Sequence, residues 1–329
     1  MRAFAPKNIA DPSYLLRRDV QTEPAESSVQ LRDLHRFWDE APRWRINSGV
    51  SIRRWLGDPV STATISVVVV TWQQAPCPRR CLESIHEARS RVDADLEIIV
   101  VDNAGDKNPE AYQGLWDRWI GLSENLGPGP ARNLGAEIAS GEILAFVDDD
   151  GVVADDYFKN ALPYFCDPHI VGIRGRVTPV HHHYFSALAS HYDRGSDPLE
   201  DALITEGACF VRRTSFLAVD GFPFGVFGHE GLELTYRLTS LHPQVTTVYC
   251  PDVVLHHDYL TGWGEFFRKA RRNAKCEERV EHRDPGAAAY LKEYFRRTFP
   301  RRRLPPSQEI TRQLLRLLRA VLARIGTPR

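Results

Sequence analysis

Glu142-Ile-Leu-Ala-Phe-Val-Asp-Asp-Asp-Gly151 is the stretch that decides the fold. Ile143 to Val147 is a continuous apolar run of strand length, which suits a strand buried on both faces. Asp148, Asp149 and Asp150 follow at once. In an open α/β sheet, ligands bind just outside the carboxyl ends of the strands, so these acids sit where a site belongs. Three adjacent like charges repel, and beside a core they need water or a cation. An acidic turn answers that need with water. A divalent-metal site answers it with hard oxygen ligands that suit Mg²⁺ or Mn²⁺.

Working outward, the preceding segment runs Ser123-Glu-Asn-Leu-Gly-Pro-Gly-Pro-Ala-Arg-Asn-Leu-Gly-Ala-Glu-Ile-Ala-Ser-Gly-Glu142. Gly127 to Gly129 predicts a tight loop, Pro130 the first turn of a helix, and Gly141 its end. Arg132 falls in that first turn, where helix dipole and guanidinium both favour a phosphate. There is no Gly-Lys-Ser/Thr, so this is not a Walker loop. Further upstream, Thr64 to Trp72 is β-branched and predicts a buried strand, and a helix is expected over 78–91. Leu96 to Asn103 predicts a second strand. Alternating strands and helices of these lengths predict a doubly wound, mainly parallel α/β sheet. Asp102 then ends a strand on the same rim as the three acids, either as a plain turn residue or as an acceptor for a base or ribose.

The formal net charge of −1 over 329 residues gives no general attraction for nucleic acid. No apolar run reaches membrane-span length, and Met1 to Lys7 lacks the core of a signal peptide; the chain reads as cytoplasmic. Six scattered cysteines read as free thiols, because the Cys77/Cys81 pair has no second pair to complete a zinc site. Residues 1–60 read as an N-terminal arm. Leu31 and Leu34 have helical spacing there, and Trp38, Trp44 and Trp55 serve to pack the arm on the main domain or to contact an acceptor or a second copy.

Val-Val-Val-Thr-Trp, Val-Val-Asp-Asn, Asn125-Leu-Gly…Ala-Arg-Asn-Leu-Gly…Ala-Ser-Gly and Phe-Val-Asp-Asp-Asp, in that order, resemble the family 2 glycosyltransferases. The resemblance runs from about Ile65 to about Arg271. It implies the GT-A fold: a nucleotide-binding half at 61–151, an acceptor half at 152–271, and a C-terminal helical extension at 272–329. It further implies a nucleotide-sugar donor, a UDP-sugar first, with Mn²⁺ or Mg²⁺ as cofactor. Thr71, Trp72, Asp102, Asn103, Arg132, Asp148 and Asp149 would contact the donor. Asp148 and Asp150 would be the outer carboxylates of an Asp-x-Asp metal motif.

The second half carries the resemblance on. Gly207-Ala-Cys-Phe-Val-Arg-Arg-Thr-Ser-Phe…Val-Asp-Gly-Phe222 is similar to the family's acceptor-side strand, helix and turn, and Phe227-Gly-His-Glu-Gly-Leu-Glu-Leu-Thr-Tyr-Arg-Leu238 follows. Counted back from Arg237, the family's usual general base falls on Gly231, which cannot take a proton. Glu230 beside it is then the expected base of an inverting enzyme, with Glu233 matching the later acid. The departure also leaves open a retaining enzyme, or a degenerate module that binds a glycan or a partner without turnover. Without the resemblance, both acids fit the start of an amphipathic helix, near its positive end. A nucleotidyltransferase of the same fold is disfavoured, because Thr71-Trp-Gln-Gln-Ala-Pro76 is no phosphate loop.

Cys250-Pro-Asp-Val-Val-Leu-His-His-Asp258 predicts a strand ending in two histidines. The family often places a third metal ligand there. Counting from Pro251 favours His257, and strand alternation turns His256 to the other face. His181 to His183 read as acceptor-side or solvated. The tail has Ile310, Leu314, Leu317, Leu318, Val321, Leu322 and Ile325 at helical spacing among arginines. That basic amphipathic helix fits peripheral contact with an anionic membrane, where lipid-linked acceptors reside, or docking on the domain or on a second subunit. Small-molecule and glycan acceptors fit equally.

Overall fold

The computed structural model describes residues 52–56, 64–72, 78–105, 107–181, 192–224, 228–259 and 262–298. The expectations for Leu31 to Trp44, for His182 and His183, and for the basic tail helix lie outside those residues. The first half runs β1 (Ile52–Leu56), β2 (Ile65–Thr71), α1 (Pro78–Arg89), β3 (Leu96–Asp102), β4 (Arg118–Leu122), α2 (Pro128–Ile138) and β5 (Ile143–Asp148). The second half runs β6 (Val152–Val153), α3 (Tyr157–Ala161), β7 (Ile170–Thr178), β8 (Leu199–Glu200), β9 (Ala208–Arg212) and α4 (Arg213–Ala218). It ends with α5 (Glu230–Leu241), β10 (Thr246–His256), α6 (Trp263–Arg283) and α7 (Pro285–Thr298).

One sheet holds the described strands in the order β1-β4-β3-β2-β5-β9-β7-β10-β6, with β8 paired to β10. β4, β3, β2 and β5 are parallel neighbours, and their carboxyl ends make one rim. β9 enters antiparallel between β5 and β7. Its first residue, Ala208, therefore pairs with Val147, at the same rim from which Asp148 emerges. β2, β3 and β5 are almost wholly buried, as their unbroken apolar runs require of strands covered on both faces.

Glycines let the helices close on that sheet. A Cβ at Gly135 of α2 would run into Val68, and one at Gly141 would stand 2.6 Å from the Ser66 nitrogen. Close approach of α2 is what brings its first turn up to the rim. β10 starts earlier than expected, at Thr246, and Pro251 lies inside it. The ladder with β7 shifts register between Cys250 and Val254, which accommodates a residue without an N–H.

Two expected boundaries move. β1 falls in the segment read as an arm, yet it pairs antiparallel with β4 and covers that edge of the sheet. The division at 271/272 falls inside α6, a continuous helix whose Cys276 and Val280 share a buried cluster with Leu232 of α5 and with Ala287, Ala288 and Leu291 of α7. The helical hairpin is therefore part of the fold, built on the helix that carries Glu230.

Candidate active site

Outside the rim lies an open cavity of about 880 Å³. One wall comes from the nucleotide half: Trp72 after β2, Asn103 after β3, Asn125 to Pro128 before α2, Arg132, and Asp148 to Asp150. The rest of the lining comes from Tyr192, Thr205 to Ala208, Gly228 to Glu230, His257, Tyr259, and α6 through Lys269, Arg272 and Asn273. Trp72 is 46% exposed there, available to stack on a flat ligand.

Arg132 is buried and pairs with Asp148 Oδ1. Burial opposes its charge, but Asp148, Glu206 and Glu230 outweigh that and raise its pKa. A single guanidinium thus answers three carboxylates. The Asp148 side chain has room because residue 207 is glycine: a Cβ there would run into the Asp148 carboxylate. Asp148 N–H also donates to Gly207 O at 3.2 Å, fixing the strand tip against the 207–208 peptide.

Burial raises the Asp149 carboxyl to about 7; the Thr71 hydroxyl opposes this, and Asp150 and Asp148 add to it. Asp150 is half-exposed. Its recess raises it against the pull of His257, whose Nδ1 is 3.6 Å from Asp150 Oδ1. Both His257 ring nitrogens and Asp149 Oδ2 are buried without hydrogen-bond partners. His256 faces away and shares a 2.8 Å hydrogen bond between its Nδ1 and Thr178 Oγ1, so it is not among the candidate ligands.

Among the described residues, no group of three His, Cys, Asp or Glu side chains converges on one metal position. Asp148 is turned to Arg132 while Asp150 and His257 face each other. The donor set nevertheless fits Mn²⁺ or Mg²⁺: two carboxylates at one strand tip and an imidazole with no other partner beside them.

Other expected contacts are placed differently. Thr71 and Asp102 are buried and do not line the cavity, and Asp102 Oδ2 accepts from Lys107 N–H at 2.9 Å. Asn103 lines it, but its amide braces the loop before α2: Nδ2 donates to Asn125 Oδ1 and Gly127 O, and Oδ1 accepts from Leu126 N–H. Glu233 is not on the cavity wall. It pairs with Arg283 at the end of α6 and lies 4.0 Å from Arg237 one turn along, so the partners on both sides hold it in the helix packing.

Glu230 is on the wall and 3% exposed. Its Oε2 accepts from Gly228 N–H at 2.8 Å; burial raises its pKa, and Arg132 pulls the other way. The residue that sequence reading missed is Glu206. Its Oε1 accepts from Gly231 N–H at 2.8 Å, and burial together with the Glu230 charge raises it to about 7. Lys269 and Arg272 were missed as well, although the Arg268-Lys-Ala-Arg-Arg272 run was a visible sign of a basic wall. Lys269 sits over the Tyr259 ring, 3.7 Å from its centroid, with Glu265 at 2.9 Å.

Residues 66–218 match the sequence profile described as "Glycosyl transferase family 2". The chain is 34% identical over 108 residues to EpsH of Bacillus subtilis, covering 31% of this chain and 30% of that protein. It is 27% identical over 219 residues to the pre-mycofactocin glycosyltransferase of Mycobacterium tuberculosis, covering 60% and 43%. These alignments thus span less than half the length of either relative. Among solved structures, the mannosyltransferase PcManGT of Pyrobaculum calidifontis, in complex with GDP-Man and Mn²⁺, superposes with a TM-score of 0.53 at 19% identity. That superposition covers 83% of this chain and 90% of PcManGT, and it shows a shared GT-A architecture.

Proposed function

The chain carries a family 2 glycosyltransferase domain on a GT-A fold, and from that premise we propose that it moves a sugar from a nucleotide-diphosphate donor, a UDP-sugar first, to an acceptor hydroxyl. The observation that carries this reading is the acid row at the tip of β5, with Arg132 paired to Asp148 and His257 beside Asp150, all lining one cavity. Asp148, Asp150 and His257 would hold Mn²⁺ or Mg²⁺. When bound, such an ion supplies neutralisation of the leaving diphosphate.

The remaining work falls to this chain's own groups. Trp72 offers a face for the base. Arg132, early in α2, and Lys269 and Arg272, on α6, offer positive charge to phosphate oxygens. Glu230 lines the same cavity, a carboxylate able to take the proton of an acceptor hydroxyl in an inverting displacement. Gly231 lends little support to a binding module without turnover. A Cβ there would run into Leu203 O, so packing alone demands the glycine.

Calorimetric titration of UDP and GDP, with and without Mn²⁺, tests the donor reading. We expect Mn²⁺ to tighten nucleotide binding at least tenfold, about 1.4 kcal/mol, with UDP preferred, and Asp150→Ala to remove that gain. Nucleotide affinity indifferent to Mn²⁺ and to Asp150 would remove the acid row from the site.

A further inference from the structure

α5 opens on the cavity with Glu230, and the next position has no side chain. A Cβ on Gly231 would run into the Leu203 carbonyl and stand 3.2 Å from Glu206 Oε1. Leu203 and Glu206, from the segment entering β9, therefore close the space that a side chain at 231 would claim. The Gly231 N–H holds its Oε1 at 2.8 Å, leaving Oε2 as the oxygen able to receive a proton. Thr205, buried on the same wall, has a hydroxyl without a hydrogen-bond partner, a group that an incoming hydroxyl can answer. The antiparallel pairing of β9 with β5 puts the 207–208 peptide against Asp148, and Glu206 is the residue just before it.

The two carboxylates are held unequally. Glu230 Oε2 takes the Gly228 N–H, and the Arg132 and Arg272 cations both act on it. Glu206 has burial and the Glu230 charge against its ionised form, with the Gly231 N–H, Arg132 and its own backbone N–H in favour. The charged and titratable groups around it are Arg132 of α2, Glu230 of α5, Tyr192, Cys209 of β9 and Cys276 of α6. Paired carboxylates whose surroundings differ divide the acid and base roles between them.

We infer that the base is a two-carboxylate unit: Glu206 takes the acceptor's proton while Glu230, fixed by Gly228 and Arg132, stays ionised beside it. This rests on the transfer reaction proposed above. In the step, the acceptor O–H bond breaks and its proton goes to Glu206 Oε2. The acceptor oxygen bonds to the anomeric carbon, and the bond from that carbon to the phosphate oxygen breaks, its electron pair leaving with the nucleoside diphosphate.

The test pairs kinetics with a titration that needs no turnover. In metal-free protein labelled with ¹³C at glutamate carboxyls, one carboxyl should titrate near neutrality and vanish in Glu206→Gln. In Glu230→Gln it should move at least one pH unit lower, because the opposing charge is gone. With donor and Mn²⁺ saturating, Glu206→Gln should lower kcat at least about 100-fold, the usual scale of a positioned base, with donor Kd within threefold of wild type. Glu230→Gln should carry the acid limb of the kcat profile to lower pH. The inference is overturned if the near-neutral titration survives Glu206→Gln, or if kcat falls by less than that. The two failures are separable: no transfer by wild type sinks the reaction, whereas a surviving titration sinks the pair.

Discussion

The parallel half of the sheet has an arginine among acids at each end, and the two ends are built to opposite ends. Glu97, second residue of β3, meets Arg118, first residue of β4, at 2.9 Å where those strands begin. Glu97 Oε1 also accepts from Ser66 Oγ at 2.5 Å, Ser140 N–H at 2.6 Å and Ser140 Oγ at 2.7 Å, and Arg118 Nη1 donates to Ile138 O at 2.5 Å. Both side chains are within 1% of full burial. At the other end Arg132 faces Asp148, Glu206 and Glu230, while Asp149 Oδ2, Thr205 Oγ1 and both His257 nitrogens go without hydrogen-bond partners. At the Glu97 end, among the described residues, only Arg118 Nε goes without a hydrogen-bond partner, and a network so nearly satisfied holds one conformation. A network with orphaned polar atoms and surplus acids beside a cavity awaits a ligand.

The same chemical change at the two ends should therefore have opposite consequences, and this is the largest effect expected. Glu97→Gln leaves the Arg118 charge buried without its counterion and should destabilise the fold by about 3–5 kcal/mol. Asp148→Asn relieves repulsion from Asp149 and Asp150 and should shift stability by less than about 1 kcal/mol, while removing Mn²⁺-dependent nucleotide binding. Urea unfolding of both variants, with binding of UDP and Mn²⁺ alongside, makes the comparison. An Asp148→Asn protein as unstable as Glu97→Gln would make the rim pair a structural one.

A smaller effect tests how the rim is kept open. Gly207→Ala should force the Asp148 carboxylate out of the space it occupies. Overpacking of this kind costs about 1–3 kcal/mol, and the displaced carboxylate should also weaken Mn²⁺-dependent binding. Normal binding with normal stability would mean that Asp148 has a second equally good place to go.

The difference between the ends also explains what was legible. Ile143 to Asp150 announced itself because a buried parallel strand is a contiguous apolar run, and its acids follow without a gap. The Gly127 to Gly141 segment was legible as a loop leading into a helix, but both ends fall earlier than the expected marks: the helix already starts at Pro128 and stops at Ile138, before Gly141. β7 gave no such sign: Gly172, Arg174, Gly175 and Arg176 interrupt it. Each interruption is answered at a distance, Gly172 by close approach of Leu203, and Arg174 by Asp201 and the Tyr249 ring. Glu206 was hidden for the same reason, because its partner Gly231 lies 25 residues away on another element. The missing clue was strand direction. Once β9 is known to run antiparallel beside β5, the residues before Ala208 must reach the acid-row rim, and Glu206 is among them.

The smallest effect bears on the surplus of acid itself. Burial and the neighbouring Glu230 charge raise Glu206 from an ordinary 4.5 to about 7 in the folded protein. A carboxyl with a raised folded pKa binds its proton more tightly folded than unfolded. Its contribution is fully present below about pH 4.5 and is lost as pH rises toward 7. Metal-free wild type should therefore lose more stability between pH 4.5 and 7.5 than Glu206→Gln does, by a few degrees of Tm at most in a domain of this size. The variant-minus-wild-type difference is the quantity to read, because it cancels acids such as Glu293, which its arginine partners hold down to about 2 and which slope the other way. That difference should grow with pH and level off above about 7.5. A flat difference would mean that Glu206 ionises in the folded chain as freely as in the unfolded one, and the contrast between the two ends of the sheet would then rest on Asp148 and its neighbours alone.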